Sequence, residues 1–231
     1  MQQRIHGLSV ISLFIIGLLL CAGIIYFIFS AHQAPSADSL ASKPELIVYY
    51  NQGIEGEKAI AAATSTSPLP YLNAGLGWMT LGSVTKDNTW YEEAEWVYTK
   101  GDKALNGKNS ILVMNLADVQ TQLGKYDEAK KTIQRGIDLS PGEPLYYQVL
   151  IDLLRYKLHA SSDEIFAVYE DGLKRLVGAG PLYISRAAYY RDIGKFVEAR
   201  ADLDLVHKAG ALTDAQYTQA IKELESAKNN Q

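Results

Sequence analysis

One short motif returns along the chain and limits what it can fold into. Leu123-Gly124-Lys125-Tyr126-Asp127-Glu128-Ala129 reappears as Ile193-Gly194-Lys195-Phe196-Val197-Glu198-Ala199. A shorter copy stands at Tyr91-Glu92-Glu93-Ala94 and a degenerate one at Ser162-Asp163-Glu164-Ile165. The anchors Ala94, Ala129, Ile165 and Ala199 lie about 35 residues apart, the period of a stacked helical repeat. Four residues after each anchor comes Tyr98, Ile133, Tyr169 or Leu203, and seven after it Gly101, Gly136, Gly172 or Val206. Offsets of four and seven share one helix face. Each copy therefore predicts a helix whose buried side runs small, large, small, with Ile165 and Val206 as departures.

The 231 residues suffice for one domain of ordinary size. A net charge of −4 provides no basic field for nucleic acid, so none is expected as a partner. The single cysteine, Cys21, excludes an intramolecular disulfide and a multi-cysteine zinc site. Most of the 15 tyrosines suit helix-pair packing.

Residues 7–30 read as a transmembrane signal anchor behind a short tail at 1–6. Gly7 to Phe29 is uncharged and almost wholly apolar, and as a helix would span roughly 34 Å, enough for a bilayer core. The run is longer than the core of a cleaved signal peptide, and Ser30-Ala31-His32 with Ala34 makes a poor cleavage site. Leu18-Leu19-Leu20-Cys21 resembles a bacterial lipoprotein signal but has Leu20 where a small residue belongs. Arg4 before the run favours a cytoplasmic N-terminus. The expectation is a single-pass protein of a membrane, such as the bacterial inner membrane, with its repeat domain extracytoplasmic.

Residues 31–43 read as a flexible Ala/Ser spacer. From there a helical repeat domain is expected over 44–229. It opens on Glu45 to Ala63, which Gly53 and Gly56 are expected to split into a short helical pair. Repeats follow at 68–109, 110–143, 144–179 and 180–211. A terminal helix over 213–227 is expected to start on a capping box of Thr213 and Gln216 and a staple of Leu212 with Tyr217, and to cover the last repeat with Tyr217, Ile221 and Leu224. Ser161 and Glu164 offer a second capping box.

Read whole, the pattern resembles the tetratricopeptide repeat family over about Pro68 to Gly210. Repeat two carries Leu116, Ala117, Gly124, Tyr126, Ala129, Ile133, Gly136 and Pro141; repeat one carries Tyr71, Ala74, Gly75, Trp78, Gly82, Tyr91, Ala94 and Tyr98. Repeat two departs at Val113 and Gln120, where the family has aromatic residues. The resemblance implies an all-α, right-handed α-α superhelix of about four helix pairs with a C-terminal capping helix, preceded here by the transmembrane helix.

Catalytic patterns are sparse. None of His6, His32, His159 and His207 has zinc-ligand spacing, and no nucleophile elbow or Walker sequence occurs. Gly75 and Gly77 are read as a close helix contact, and Glu92, Glu93 and Glu95 as a solvated face. No enzyme activity, metal or cofactor is expected. A membrane-tethered hydrolase would need Ser185 and His159 to meet across repeats. The resemblance implies instead a groove built by the first helix of each pair, holding an extended or helical segment of a protein partner. Carried over residue by residue, its lining is Ile111, Met114, Asp118, Thr121 and Gln122, then Leu145, Gln148, Asp152, Arg155 and Tyr156, then Ile184, Ala188, Arg191 and Asp192. Met114, Asp118, Gln122, Gln148, Asp152, Arg155, Tyr156 and Arg191 are the candidate contact residues, with Arg155 and Tyr156 expected outside the helix interfaces. A solvated inner face without a ligand is the competing reading. The function expected is a membrane-anchored scaffold; the alternative is an accessory subunit or chaperone of a membrane translocation or envelope-assembly complex.

Overall fold

Two identical turns show how the recurring motif acts. After the helices ending at Gln122 and Asp192, Gly124 and Gly194 adopt φ of 74° and 77°, a left-handed conformation that glycine enters without a Cβ clash. Lys125 N–H then donates to the Gln120 carbonyl at 2.8 Å, and Lys195 N–H to the Tyr190 carbonyl at 2.8 Å. This six-to-one bond satisfies carbonyls that each helix end leaves open. The next helix starts at once on Tyr126 or Phe196.

The computed structural model describes residues 34–62 and 67–229. All the helices among the described residues belong to one compact unit that begins at Ala37. After 3-10 turns at Ala37–Leu40 and Pro44–Leu46 come ten α-helices: α1 Ile47–Ala62, α2 Leu69–Thr85, α3 Asn88–Ala104, α4 Ser110–Gln122, α5 Tyr126–Leu139, α6 Pro144–Tyr156, α7 Ser162–Arg175, α8 Gly180–Asp192, α9 Phe196–Lys208 and α10 Asp214–Asn229. Starts follow local chemistry. Asp87 and Asn109 accept backbone N–H bonds at 2.9 Å, and prolines occupy the first turns of α2, α6 and α8.

Each helix packs chiefly on its sequence neighbours, which is the contact pattern of a one-dimensional stack. The result is an all-α repeat architecture that supports the expected superhelix. Ala94, Ala129 and Ala199 have no exposed surface, and Ile165 is 2% exposed. The glycines three positions beyond the large residues are buried as well. A Cβ on Gly101 would strike the Tyr71 ring, and one on Gly136 the Tyr146 ring of the next pair. Small residues are thus required where a neighbour's aromatic ring enters.

Bridges between non-consecutive helices define two layers. Lys125 and Arg135 of the α5 pair reach Glu95 and Asp102 of α3, and Lys130 of α5 reaches Glu164 of α7. On the other side the Tyr146 hydroxyl of α6 donates to the Ser110 carbonyl of α4, and Arg155 of α6 meets Asp192 of α8. The helices α2, α4, α6 and α8 form one layer, and α3, α5, α7 and α9 the other.

Several expectations need correction. The sequence predicts a transmembrane helix and a single-pass membrane localisation; among the described residues no helix is long and apolar enough to cross a membrane. Uncharged α2 has 17 residues, about 25 Å at 1.5 Å per residue, short of the ~30 Å of a bilayer core. Residues 7–30, on which that expectation fell, lie outside the described residues. The stretch read as spacer contains a 3-10 turn whose Leu40 is 1% exposed. Gly53 and Gly56 do not split α1, which runs unbroken because both face α2: a Cβ on Gly53 would lie 2.4 Å from the Trp78 ring, and one on Gly56 2.7 Å from the Ala74 nitrogen. Gly82 likewise lies inside α2, under the Tyr91 ring. Glu93 is 4% exposed, so the acidic run is not a uniformly solvated face. Ser161 accepts from the Glu164 N–H at 3.3 Å, but the Glu164 carboxylate binds Lys130, leaving half a capping box. At Thr213 and Gln216 both bonds of the box form, at 3.0 and 3.3 Å. Gln120, placed where the family has an aromatic residue, is 8% exposed and accepts from the Thr132 hydroxyl at 2.8 Å. A buried polar pair thus replaces a ring.

Candidate functional site

The two layers differ in charge. Helices α2 and α4 together contain one ionisable acid or base among D, E, K and R, Asp118, whereas α3 and α5 are densely charged. The less charged layer nevertheless exposes large aliphatic side chains. Leu69 is 62% exposed, Leu76 55%, Ile111 59% and Leu145 52%. A helix face that needed only to be wet would carry polar groups there.

Ile111, Met114, Asn115 and Ser110 from α4, with Glu143, Leu145 and Tyr146 at the start of α6, line a cavity of about 240 Å³. Tyr146 closes its floor. The ring is buried and fixed by its bond to Ser110, and burial raises its hydroxyl above the ordinary tyrosine range. Glu143 on the rim caps α6 by accepting from the Leu145 N–H at 3.3 Å.

The candidate contact residues fall into linked groups. Met114 is half-buried at the cavity. One turn on, exposed Asp118 accepts from Gln122 at 3.2 Å. On α6, half-buried Gln148 donates to Asp152 at 3.0 Å. At the far end Arg155, Tyr156 and Arg191 come together through Asp192. Arg155 Nη2 lies 2.7 Å from one Asp192 oxygen, and Arg191 Nη2 2.8 Å from the other. Arg155 also lies over the rings of Tyr156 at 4.8 Å and Tyr189 at 4.7 Å, a cation–π arrangement.

Arg155 is a correction in its own right. Its side chain is only 11% exposed, so it belongs to the α6–α8 interface rather than outside it. Tyr156 is 59% exposed. Behind them stands Tyr169, fully buried, with its hydroxyl 2.9 Å from Ser185 Oγ. Burial raises that hydroxyl, while hydrogen bonds from Ser185 and Arg155 work against it. This junction also joins Tyr189 to Ser162 at 2.9 Å and Arg186 to Asp202 at 2.7 and 2.8 Å.

Sequence reasoning missed Leu69 and Leu76, although they occupy in the first pair the register of Ile111 and Asp118. It also missed Tyr169 and Tyr189, which read as plain core. The hydrolase alternative gains nothing: Ser185 is bonded to Tyr169, and no hydrogen bond joins it to His159. Among the described residues no group of three or more His, Cys, Asp or Glu is placed to hold a metal ion.

The tetratricopeptide repeat family model matches residues 112–143, from within α4 through α5 to the start of α6. That match, with the stacked helix pairs, supports a tetratricopeptide repeat family. No curated protein matches the chain. Domains of this repeat family are generally non-catalytic scaffolds that bind protein partners, and the architecture here suggests a protein-interaction scaffold.

Proposed function

We propose that this chain holds a segment of a protein partner along the layer formed by α2, α4, α6 and α8. The observation that carries the proposal is the asymmetry between layers: Leu69, Leu76, Ile111 and Leu145 are exposed on the less charged layer, whose helices α2 and α4 carry only Asp118. Contiguous exposed apolar groups mark interaction surfaces, whereas scattered ones do not, and Ile111 and Leu145 line one cavity together. Met114, Asp118, Gln122, Gln148 and Asp152 supply polar side chains and a flexible thioether between the aliphatic positions. Tyr156 and Arg191 supply an aromatic and a cationic contact at the far end; Arg155 lies against the Tyr156 ring and shares Asp192 with Arg191. The groove use known of the resembling family gives the same surface.

A photo-crosslinking residue tests this directly. Placed at Met114 or Tyr156 and irradiated in cell extract, it is expected to yield defined adducts. Placed at exposed Lys131 on the charged layer, it is expected to yield none. Adducts from Lys131 alone would move the interaction surface to the other layer and overturn the proposal.

A further inference from the structure

We infer that the cavity between the first turns of α4 and α6 takes a large aliphatic side chain of a protein segment in which lysine or arginine flanks that residue. This rests on the reading of the α2–α4–α6–α8 layer as the partner-binding surface and adds the chemistry of the partner.

Size argues first. At about 240 Å³ the cavity is smaller than the roughly 300–1,000 Å³ usual for small-molecule sites. Its open mouth is framed by Ile111 and Leu145, exposed by 59% and 52%. Such a site fits one or two side chains of a larger partner better than a free metabolite.

Charge argues second. Glu143 stands on the rim, and Asp118 follows Met114 by four residues, on the same face of α4. Neither carboxylate makes an ion pair: Asp118 accepts from the neutral Gln122 amide, and Glu143 from a backbone N–H. Helices α2 and α4 contain no lysine or arginine, and the first cation of α6 is Arg155, committed to Asp192. Arg135, whose charge reaches the Tyr146 hydroxyl, is committed to Asp102 at 2.9 Å. The cavity therefore has a largely apolar interior, with the unpaired carboxylate of Glu143 on its rim and that of Asp118 one turn beyond Met114; exposed Lys108, just before α4, is the cation that precedes the lining. A cationic flank would gain from both carboxylates, while an acidic flank or a C-terminal carboxylate would be repelled.

The test uses the purified full chain and two fluorescein-labelled amphipathic peptides, one built of leucine and lysine and one of leucine and glutamate. Fluorescence anisotropy is expected to show binding of the Leu/Lys peptide and at least about tenfold weaker binding of its counterpart. Asp118→Lys is expected to weaken the Leu/Lys peptide by about tenfold or more and to improve the Leu/Glu peptide. Glu170→Lys makes the same change in net charge on exposed α7 and is expected to stay within about twofold of the parent. Ile111→Ser with Leu145→Ser, both at exposed positions, is expected to weaken the Leu/Lys peptide by about tenfold. Equal weakening by Glu170→Lys and Asp118→Lys would mean bulk charge attraction and overturn the inference. Absence of peptide binding would overturn it as well. A photo-crosslinking residue at Met114 separates the two levels. Adducts at Met114 with both peptides equally would sink the cationic preference and leave the scaffold reading standing. Adducts from a photo-crosslinking residue at exposed Lys131 on α5, with none from Met114, would sink both.

Discussion

Gly56→Ala places a single methyl group where the sequence suggests a helix breaker and the structure shows a helix contact. The added Cβ would lie 2.6 Å from the Ala74 Cβ, 2.7 Å from its nitrogen and 2.8 Å from its Cα. Carbon pairs prefer about 3.5–4.0 Å, so α1 must withdraw from α2 by about 1 Å. Two of the three atoms are backbone, and no rotamer change relieves them. Withdrawal also opens the neighbouring contacts, where Gly53 lies under the Trp78 ring and Gly77 faces the Tyr49 carbonyl. Overpacking of this kind costs about 1–3 kcal/mol. Alanine recovers about 1 kcal/mol of helix propensity over glycine. The net expectation is a loss of up to about 2 kcal/mol, the packing cost offsetting or exceeding the propensity gain. Urea unfolding followed by tryptophan fluorescence reads it well, because Trp78 and Trp90 stack 5.6 Å apart beneath α1 with Tyr50 edge-on to both. Gly142→Ala is the control: no atom lies within 4 Å of its added Cβ, and it is expected to be neutral or to stabilise by a few tenths of a kcal/mol. A Gly56→Ala variant about 1 kcal/mol more stable than the parent would show propensity acting alone and refute the close α1–α2 contact.

Two further outcomes follow from buried polar contacts. Gln120→Ala leaves the buried Thr132 hydroxyl without its acceptor and is expected to cost about 1–3 kcal/mol, whereas Gln120→Leu with Thr132→Val recovers most of that; a double-mutant cycle in urea measures the coupling, and additive losses would refute it. Arg155→Ala removes the α6–α8 bridge and the packing over two tyrosines, with an expected loss of about 1–3 kcal/mol that persists in high salt because the side chain is only 11% exposed; a loss below about 0.5 kcal/mol that vanishes in salt would make it an ordinary surface pair.

The repeat was legible in the sequence because its signals are local or strictly periodic. A Leu or Ile, then Gly-Lys and an aromatic residue, dictates a left-handed glycine and an immediate new helix, and the structure forms that turn twice. The small-large-small face at Ala129, Ile133 and Gly136 is likewise a property of helix period, and all three are buried. Thr213 and Gln216 lie three residues apart, close enough for local chemistry to decide their bonds. What failed depended on a distant partner. Gly53 and Gly56 read as breakers because their use, close approach to Trp78 and Ala74, involves another helix. Arg155 read as a free groove residue because Asp192 and Tyr189, which enclose it, come more than thirty residues later. Glu164 completed a capping box on paper, but Lys130 in the preceding pair takes its carboxylate. The site divides the same way. The register of Ile111, Asp118, Leu145 and Asp152 follows from helix geometry. The stacking of successive helices into the less charged layer, which sets Glu143 on the rim of a largely apolar cavity and Asp118 one turn beyond Met114, is decided only when the repeats pack. Sequence determines which face each helix can bury; tertiary packing determines which exposed face meets another to make a site, because that choice depends on contacts between residues far apart in the chain.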